Sequence, residues 1–361
     1  MKMKNCILLL GTVLLFMCSC EHQKGYETVR LPSSIKTDSA PLTASLAVPS
    51  EFCIAAKDLA LYGDSVLVVT NKPLKDRCLI EFWNLKTGEK MSEVFHNGNG
   101  PGEMLNVTSH IRGDSLLVHD FAKHQIAVVD MREALATGVF KSGRFVSFCR
   151  NAGSPFVTMW GHDRLIMLNP YYFENGELGI SNGQPRILST CVGDDIELLD
   201  GKTKRLFYSY NVEQGCLIPS PSGEKLFFVS SNYPEIEIYD SSLNLHTRIC
   251  GPDEFHPSYK ISDGEICFDK IVPYTYRAYF AADDGLYLSY AGFFYDRKFK
   301  FQNAESWVFK FDWDGNFIKS YHSDKYLSSL SLSSDGKAFY GKGYDENGNV
   351  VLWRLLVGEV E

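Results

Sequence analysis

The stretch Phe95–Met131, FHNGNGPGEMLNVTSHIRGDSLLVHDFAKHQIAVVDM, decides the fold. It contains short apolar runs, the clearest of which are Leu116–Val118 and Ile126–Val129. Each run is too short for a stable helix and rich in β-branched residues, so each predicts a strand. Gly113-Asp114 predicts a tight turn between the first two strands, because glycine accepts positive φ and aspartate bonds its own backbone. The order loop, strand A, turn, strand B, polar loop, strand C is typical of one blade of a β-propeller.

The same turn, followed by an apolar run, recurs along the chain at intervals of 48 to 62 residues. Repetition at such a spacing indicates an array of similar units, and blades can be added around one axis. The pattern therefore predicts an all-β, six-bladed β-propeller with four-stranded antiparallel blades. For the third blade, the outer strands are expected between Gly183 and Tyr210, with their register open. The turn markers are Gly63-Asp64, Gly113-Asp114, Gly161-His162-Asp163, Ser222-Gly223-Glu224, Asp284-Gly285 and Asp335-Gly336.

The sixth repeat ends near Leu356, after its third strand. An outer strand must come from elsewhere, because a sheet otherwise keeps an open edge. We predict that Glu27–Leu31 pairs with the C-terminal blade and closes the propeller. The expected organisation is then a signal peptide at 1–19, a partly flexible tether at 20–45 that includes this strand, and the propeller at 46–361.

The N-terminus indicates export. Two lysines precede Cys6–Met17, an apolar segment too short to remain as a membrane-spanning helix. It ends at Cys18-Ser19-Cys20, and a small residue before a cysteine at this place resembles a bacterial lipoprotein signal. The resemblance implies lipidation of Cys20, with Cys18 as the less suitable alternative, and an anchor in the outer membrane. An ordinary secretory signal with incidental cysteines is the other interpretation, and the side of the membrane stays open.

Two motifs resemble known propeller repeats. The loop Gly98–Glu103, with the strand and turn after it, resembles the NHL repeat. Tyr276–Phe280 followed by Leu286–Gly292 resembles the first two strands of TolB-like six-bladed propeller lipoproteins of Bacteroidetes. The TolB-like resemblance covers essentially all of residues 46–358. They imply an exported, lipid-anchored propeller of unassigned biochemical role.

The amino-acid composition limits the classes of partner that the chain can bind. The formal net charge is −8, and removal of the signal would delete two lysines and no acidic residue. An acidic, exported chain argues against nucleic acid, which requires a basic surface. The ten cysteines include no C-x-x-C pair, so small buried side chains are expected, with one disulfide as an alternative. We expect a monomer without a cofactor or metal.

The blade geometry also predicts a binding face. The loops that lead into strand A and those that join strands B and C open on the same face of a propeller. Loops on a rigid scaffold often carry function, and aromatic residues and arginine are enriched at interfaces. Packing of these aromatics between blades is the alternative. The candidate binding residues are His96, Glu103, Tyr171, Tyr172, Tyr233, Phe293, Phe294, Tyr295 and Arg297.

The sequence contains few candidate motifs for catalysis or for metal binding. The glycine loop before Glu103 should lead into a strand, whereas phosphate loops lead into a helix, so Glu103 is expected to accept backbone hydrogen bonds. A metal at His119, Asp120 and His124 is a weaker alternative to a loop-capping role for Asp120. Asp312–Gly315 lacks the glutamate that a calcium loop requires. Hydrolase motifs are also lacking.

The sequence therefore favours a binding module that recognises an envelope protein or glycan. The alternative is an enzyme that acts on a glycan or peptide at the mouth of the central channel. An enzyme would bring Asp, Glu, His or Arg side chains from several blades together with shifted pKa values. A binding module would instead expose a continuous aromatic patch.

Overall fold

The structure, a computed structural model, is almost entirely β. It describes residues 26–48, 53, 55–75, 77–147, 157–160, 164–169, 172–174, 177–179, 187–192, 195–198, 215–242, 244–255, 258–262, 265–268, 272–296 and 298–358. The strands in chain order are β1 (Glu27–Arg30), β2 (Ala40–Val48), β3 (Ala56–Tyr62), β4 (Val66–Asn71), β5 (Ile80–Asn84), β6 (Lys90–Val94), β7 (Val107–Arg112), β8 (Ser115–Asp120), β9 (Gln125–Asp130), β10 (Arg144–Ser147), β11 (Val157–Trp160), β12 (Arg164–Asn169), β13 (Tyr172–Glu174), β14 (Glu177–Gly179), β15 (Ile187–Val192), β16 (Asp195–Leu198), β17 (Gly215–Pro219), β18 (Lys225–Ser230), β19 (Glu235–Asp240), β20 (Leu245–Cys250), β21 (Tyr259–Ser262), β22 (Glu265–Phe268), β23 (Val272–Ala282), β24 (Gly285–Tyr295), β25 (Ser306–Phe311), β26 (Phe317–Ser323), β27 (Ser331–Leu332), β28 (Ala338–Tyr344) and β29 (Val350–Val357). The helices are α1 (Ser34–Thr37), α2 (Met131–Thr137) and a 3₁₀ turn at Phe301–Asn303.

Most of these strands form successive groups of four antiparallel strands, while β13 with β14 and β21 with β22 form separate two-stranded sheets. Sheet 1 is β3–β6, sheet 2 is β7–β10, sheet 3 is β11, β12, β15 and β16, sheet 4 is β17–β20, sheet 5 is β23–β26, and sheet 6 is β27–β29 with β2. Sheets 5 and 6 are continuous, because β2 pairs with both β26 and β29 and so creates one eight-stranded sheet. The fold is therefore all-β and propeller-like, whereas the predicted separation into six four-stranded units is met only in part. We call β3, β7, β11, β17, β23 and β27 the inner strands.

Strand β4 shows why its sequence is continuously apolar. All six of its residues are buried, since the strand is covered on both faces. Val66 and Val68 pack with residues of sheet 2, such as Leu116. Leu67, on the opposite face, packs with Leu352 of sheet 6. Alternate side chains of one strand thus join sheet 1 to both of its neighbours.

The predicted closing strand is wrong in its position. Glu27–Leu31 does not pair with the C-terminal sheet, because β1 runs parallel to β20 and adds a fifth strand to sheet 4. Sheet 6 is closed instead by β2, which is antiparallel to β29 from Leu42 to Val48. β1 is largely exposed, whereas β2 buries Leu42 and Val48 in two apolar clusters. The burial of apolar side chains therefore selects β2 for the outer position.

The position of β2 also moves the boundary between tether and propeller toward the N-terminus. Residues 26–45, expected to belong to a partly flexible tether, contain β1, α1 and most of β2. Ile35 of α1 is buried in the cluster that joins sheets 4 and 5. Lys36 also reaches this junction, where its Nζ lies 3.0 Å from Oδ2 of Asp253. The signal peptide at 1–19 lies outside the described residues, as does Cys20.

The connection between β9 and β10 contains a helix that was not predicted. Asp130 caps α2, because its side chain accepts a hydrogen bond of 2.9 Å from the backbone N–H of Glu133. Gly138 ends the helix with φ of 69°, a conformation that glycine adopts readily. Met131 and Ala134 bury one side of α2 between sheets 1 and 2. The third sheet matches expectation better, since β15 and β16 lie between Gly183 and Tyr210.

Candidate binding site

The inner strands of all six sheets line one cavity of about 400 Å³, which we call the central cavity. Hydrogen bonds between neighbouring sheets hold its wall. The backbone N–H of Leu61 donates to Oγ of Ser331 at 3.0 Å, and Oγ1 of Thr275 donates to the carbonyl of Ser230 at 3.0 Å. The lining residues are Asp58, Leu59, Ala60, Leu61, Thr108, Ser109, His110, Ile111, His119, Phe121, Thr158, Gly215, Cys216, Leu217, Arg277, Ala278, Tyr279, Phe280, Ser328, Ser329, Leu330 and Ser331.

Strand β3 carries a carboxylate and a lysine that contact neighbouring sheets, and a second lysine comes from β28. Nζ of Lys342 lies 3.6 Å from Oδ1 of Asp58. Burial raises the pKa of Asp58, and the positive charge of Lys342 opposes that shift. The Asp58 side chain keeps 38% of its surface accessible, which is consistent with a group that is enclosed by protein but faces a cavity. Lys57 points toward sheet 2, where its Nζ donates to the carbonyl of Val107 at 2.8 Å.

Two histidines from sheet 2 lie side by side on the cavity wall. The ring centroids of His110 and His119 are 4.9 Å apart, and His119 is only 2% exposed. Burial and then the charge of Arg112 lower the pKa of His110 to about 4. Burial, followed by the neighbouring His110, holds the pKa of His119 well below its usual range. Both rings are therefore neutral near pH 7.

Sheet 5 contributes a positively charged side chain to the cavity wall, and sheet 4 contributes a thiol. The guanidinium carbon of Arg277 lies 4.0 Å from the ring centroid of Tyr274. Burial raises the pKa of the Cys216 thiol to about 11, although the charge of Arg277 opposes the shift. Since the thiolate is the nucleophile, Cys216 is poorly suited to covalent catalysis.

The first part of the predicted binding face is positioned by backbone contacts. Oε2 of Glu103 accepts a hydrogen bond of 2.6 Å from the N–H of Gly100, as expected for a shaped loop. His96 is exposed beside the Cys78 thiol, with 3.3 Å between Nδ1 and Sγ. Tyr233 is half-buried, and its carbonyl accepts from Oγ1 of Thr275.

The aromatic part of that face divides between packing and exposure. Phe293 and Tyr295, at the end of β24, lie in a cluster with Tyr274, and the ring centroids of Phe293 and Tyr274 are 5.6 Å apart. Phe294 points the other way and is 45% exposed, with Phe255 as its aromatic neighbour at 4.6 Å. The alternative of internal packing therefore applies to two of these three residues. Tyr171 and Arg297 lie outside the described residues, and for Tyr172 only the backbone strand is described.

Asp120 has the capping role that the sequence favoured. It is fully buried, and its carboxylate accepts hydrogen bonds from the N–H groups of Leu105, Ala122 and Lys123 at 2.7, 3.0 and 3.2 Å. These bonds fix the polar loop after β8 and the segment before β7. In the part of the chain that the structure describes, no three His, Cys, Asp or Glu side chains are grouped as a metal site.

The four cysteines whose side chains the structure describes are unpaired: Cys53, Cys78, Cys216 and Cys250. The first two are buried, as expected for small core residues. Within the described residues, none of the helices has the length and apolar character needed to cross a membrane.

Sequence comparison finds no match, whereas structural comparison finds proteins of similar fold. The chain matches no family model and no curated protein. A member of the DUF4221 family from Bacteroides vulgatus is similar over 88% of this chain and 98% of its own length, with a TM-score of 0.55 at 8% identity. At that identity the similarity shows a shared fold alone.

Two further solved structures align over most of their length with lower scores. A proposed exported protein from Bacteroides fragilis covers 92% of this chain and 99% of its own, with a TM-score of 0.46 at 11% identity. Streptogramin B lyase covers 88% of this chain and 98% of its own, with a TM-score of 0.41 at 11% identity. Neither similarity is high enough to add to what the first one shows.

Proposed function

We propose that the chain is a six-bladed β-propeller of the cell envelope, anchored by a lipid on Cys20, that binds a partner at the mouth of the central cavity. The observation that carries this proposal is the cavity itself, to which the inner strand of every sheet contributes. Six inner strands around one cavity are what six blades around one axis would produce. The continuity of sheets 5 and 6 is compatible with this, since it comes from the outermost strand β2 and not from the inner strands.

A partner would contact the loops that surround the mouth of the cavity. Inner strands run in the same direction around a propeller, so the loops that precede them share a face with the ends of the second strands. Phe294 lies at the end of β24, and the loop from His96 to Glu103 lies before β7. We infer that both belong to the face at which an envelope protein or glycan docks, with the exposed ring of Phe294 as a contact.

The enzymatic alternative is favoured by one observation. Asp58, His110 and Arg277 come from three different sheets and line the same cavity, and the pKa values of Asp58 and His110 are shifted. Catalysis would further require a nucleophile held by a base. Asp58 is instead adjacent to Lys342, and the Cys216 thiol has a raised pKa. Binding therefore accounts for the described residues with fewer requirements.

Anchoring is tested by replacing the cysteine that would carry the lipid. In cells fed radioactive palmitate, the wild-type chain and a Cys18→Ala variant are expected to become labelled and to sediment with membranes. A Cys20→Ala variant is expected to lose both properties, because its acyl chains would be absent. Label retained on Cys20→Ala, or lost on Cys18→Ala, would show that the anchor was assigned to the wrong residue.

Binding is tested by capture from detergent-solubilised envelopes on the immobilised full chain. A specific partner is expected on wild type and at least about tenfold less of it on Phe294→Asp, as for a central aromatic contact. Ile318→Asp is the matched control, because Ile318 is 52% exposed and follows the turn at the opposite end of sheet 5. Equal capture by both variants would contradict the proposed face. Turnover of an envelope polysaccharide without any captured partner would support the enzymatic alternative.

A further inference from the structure

Buried polar atoms without a hydrogen-bond partner collect on the wall of the central cavity. Among the described residues, such side-chain atoms occur on five residues, and three of them line this cavity. The three are His119, Thr158 and Arg277, which come from sheets 2, 3 and 5. His119 and Thr158 are each only 2% exposed, so bulk water reaches them poorly. Because buried polar groups are almost always paired in folded proteins, these atoms indicate a site for a polar ligand.

The charges around the cavity favour an anion. Asp58 has a cation beside it, since Nζ of Lys342 is 3.6 Å away. Arg277 stacks on the Tyr274 ring and makes a side-chain hydrogen bond with Tyr326, and among the residues that the structure describes none forms a salt bridge with it. Its Nε has no hydrogen-bond acceptor within the same part of the chain. The N–H groups of this guanidinium that Tyr326 does not use, Nε–H among them, can donate to a carboxylate.

His110 adds no charge of its own to the cavity. Its pKa is lowered by burial and then by the charge of Arg112, to about 4. A neutral imidazole at pH 7 adds neither a competing cation nor a negative charge to the cavity. Burial, the larger cause, disfavours a charge of either sign, and only the smaller effect of Arg112 is in the direction that favours an anion.

The remaining wall is apolar. Ile111 of sheet 2 and Phe280 of sheet 5 line the cavity and are only partly buried, whereas Leu59, Leu217 and Leu330 belong to core clusters behind its wall. A volume of about 400 Å³ is within the range of roughly 300–1,000 Å³ typical of small-molecule sites. A bare inorganic ion would leave the accessible parts of Ile111 and Phe280 uncovered.

We propose that the central cavity binds a small organic anion, in which a carboxylate contacts Arg277 and an apolar body contacts Ile111 and Phe280. Other polar atoms of the ligand pair with His119 and Thr158. The anion is a free small molecule, as the cavity volume of about 400 Å³ favours. This proposal rests on the proposed function, because it names the chemistry that the cavity recognises.

The test uses 2-naphthoate and its neutral isostere 2-naphthamide as probes, with calorimetric titration of the purified full chain in detergent. Naphthoate is expected to bind at least tenfold more tightly than naphthamide to wild type. Arg277→Gln is expected to remove that preference, and Arg277→Lys to keep part of it, since charge remains but the paired geometry is lost. Arg354→Gln is the matched control, because Arg354 is exposed on β29 and should leave both affinities unchanged. Melting temperatures of all variants verify that they are folded.

Each outcome separates this proposal from the proposed function. Equal affinity for naphthoate and naphthamide would overturn the preference for an anion while leaving binding in the cavity intact. Equal loss of affinity in Arg277→Gln and Arg354→Gln would place the probe outside the cavity and overturn the proposal. If neither probe binds, the anion proposal fails, and capture by wild type against Phe294→Asp still decides the proposed function.

Discussion

Replacing Glu237 with alanine is expected to lower the free energy of unfolding by roughly 3–5 kcal/mol, as for the loss of one partner of a buried ion pair. Glu237 is fully buried in β19. Its Oε1 accepts hydrogen bonds from Nη2 and Nε of Arg248 at 2.7 and 3.2 Å, and its Oε2 accepts from the hydroxyl of Tyr239 at 2.5 Å. Only 8% of the Arg248 side chain is exposed, so the variant would leave a cation without its carboxylate in a poorly hydrated place.

The measurement is urea denaturation of the full chain, followed by tryptophan fluorescence. Glu93→Ala is the control, since Glu93 forms an ion pair of 2.6 Å with Lys90 in which both side chains are about 40% exposed. Such exposed pairs contribute about 1 kcal/mol or less. A double variant, Glu237→Met with Arg248→Met, is expected to recover much of the loss, because neither charge would remain buried. Similar losses for Glu237→Ala and Glu93→Ala would contradict the role of this buried pair.

Replacing Leu42 with alanine is expected to lower the free energy of unfolding by about 2–5 kcal/mol, the range for removal of a buried leucine side chain. Leu42 is 7% exposed and packs in the core of sheet 6 with Phe339 and Leu355. It reaches this position because β2 supplies the outer strand of the sheet. The same denaturation measurement reports the loss.

Leu46→Ala is the matched control in the same strand. Leu46 is 51% exposed and lies next to the point where the register of β2 against β29 shifts. Its replacement should change stability by no more than about 0.5 kcal/mol, as for other surface positions. If Leu42→Ala were as mild as Leu46→Ala, closure of sheet 6 by β2 would be excluded.

Features that depend on neighbouring residues could be predicted from the sequence. Val66–Val69 follows the turn at Gly63-Asp64, and such a run predicts a strand that is buried on both faces. The carboxylate of Asp120, two residues before the first N–H that it caps within its own loop, is a similarly local signal. Helix α2 was missed although its signal was present, since Asp130 and Glu133 have the spacing of a capping box and Gly138 follows at the end.

Features that depend on distant pairing could not be predicted. Ala40–Val48 combines small, polar and apolar residues, so its local pattern does not distinguish an outer strand from a linker. Only pairing with β29, near the other end of the chain, defines it. The cavity residues are harder still, because Asp58, His110 and Arg277 are single polar residues in separate strands. Their proximity follows from the arrangement of the inner strands and from no motif.

The pairing of β2 with β29 also determines when the molecule can be completed during its synthesis. Residues 40–48 leave the ribosome long before their partners Val350–Val357 do. Until then β2 has no partner on that side, and sheet 6 cannot form. Contacts between such distant segments are slow to form, because a long loop must be ordered before it is stabilised. Pairing of β2 with β29, which closes sheet 6, is therefore expected to be a late step of folding.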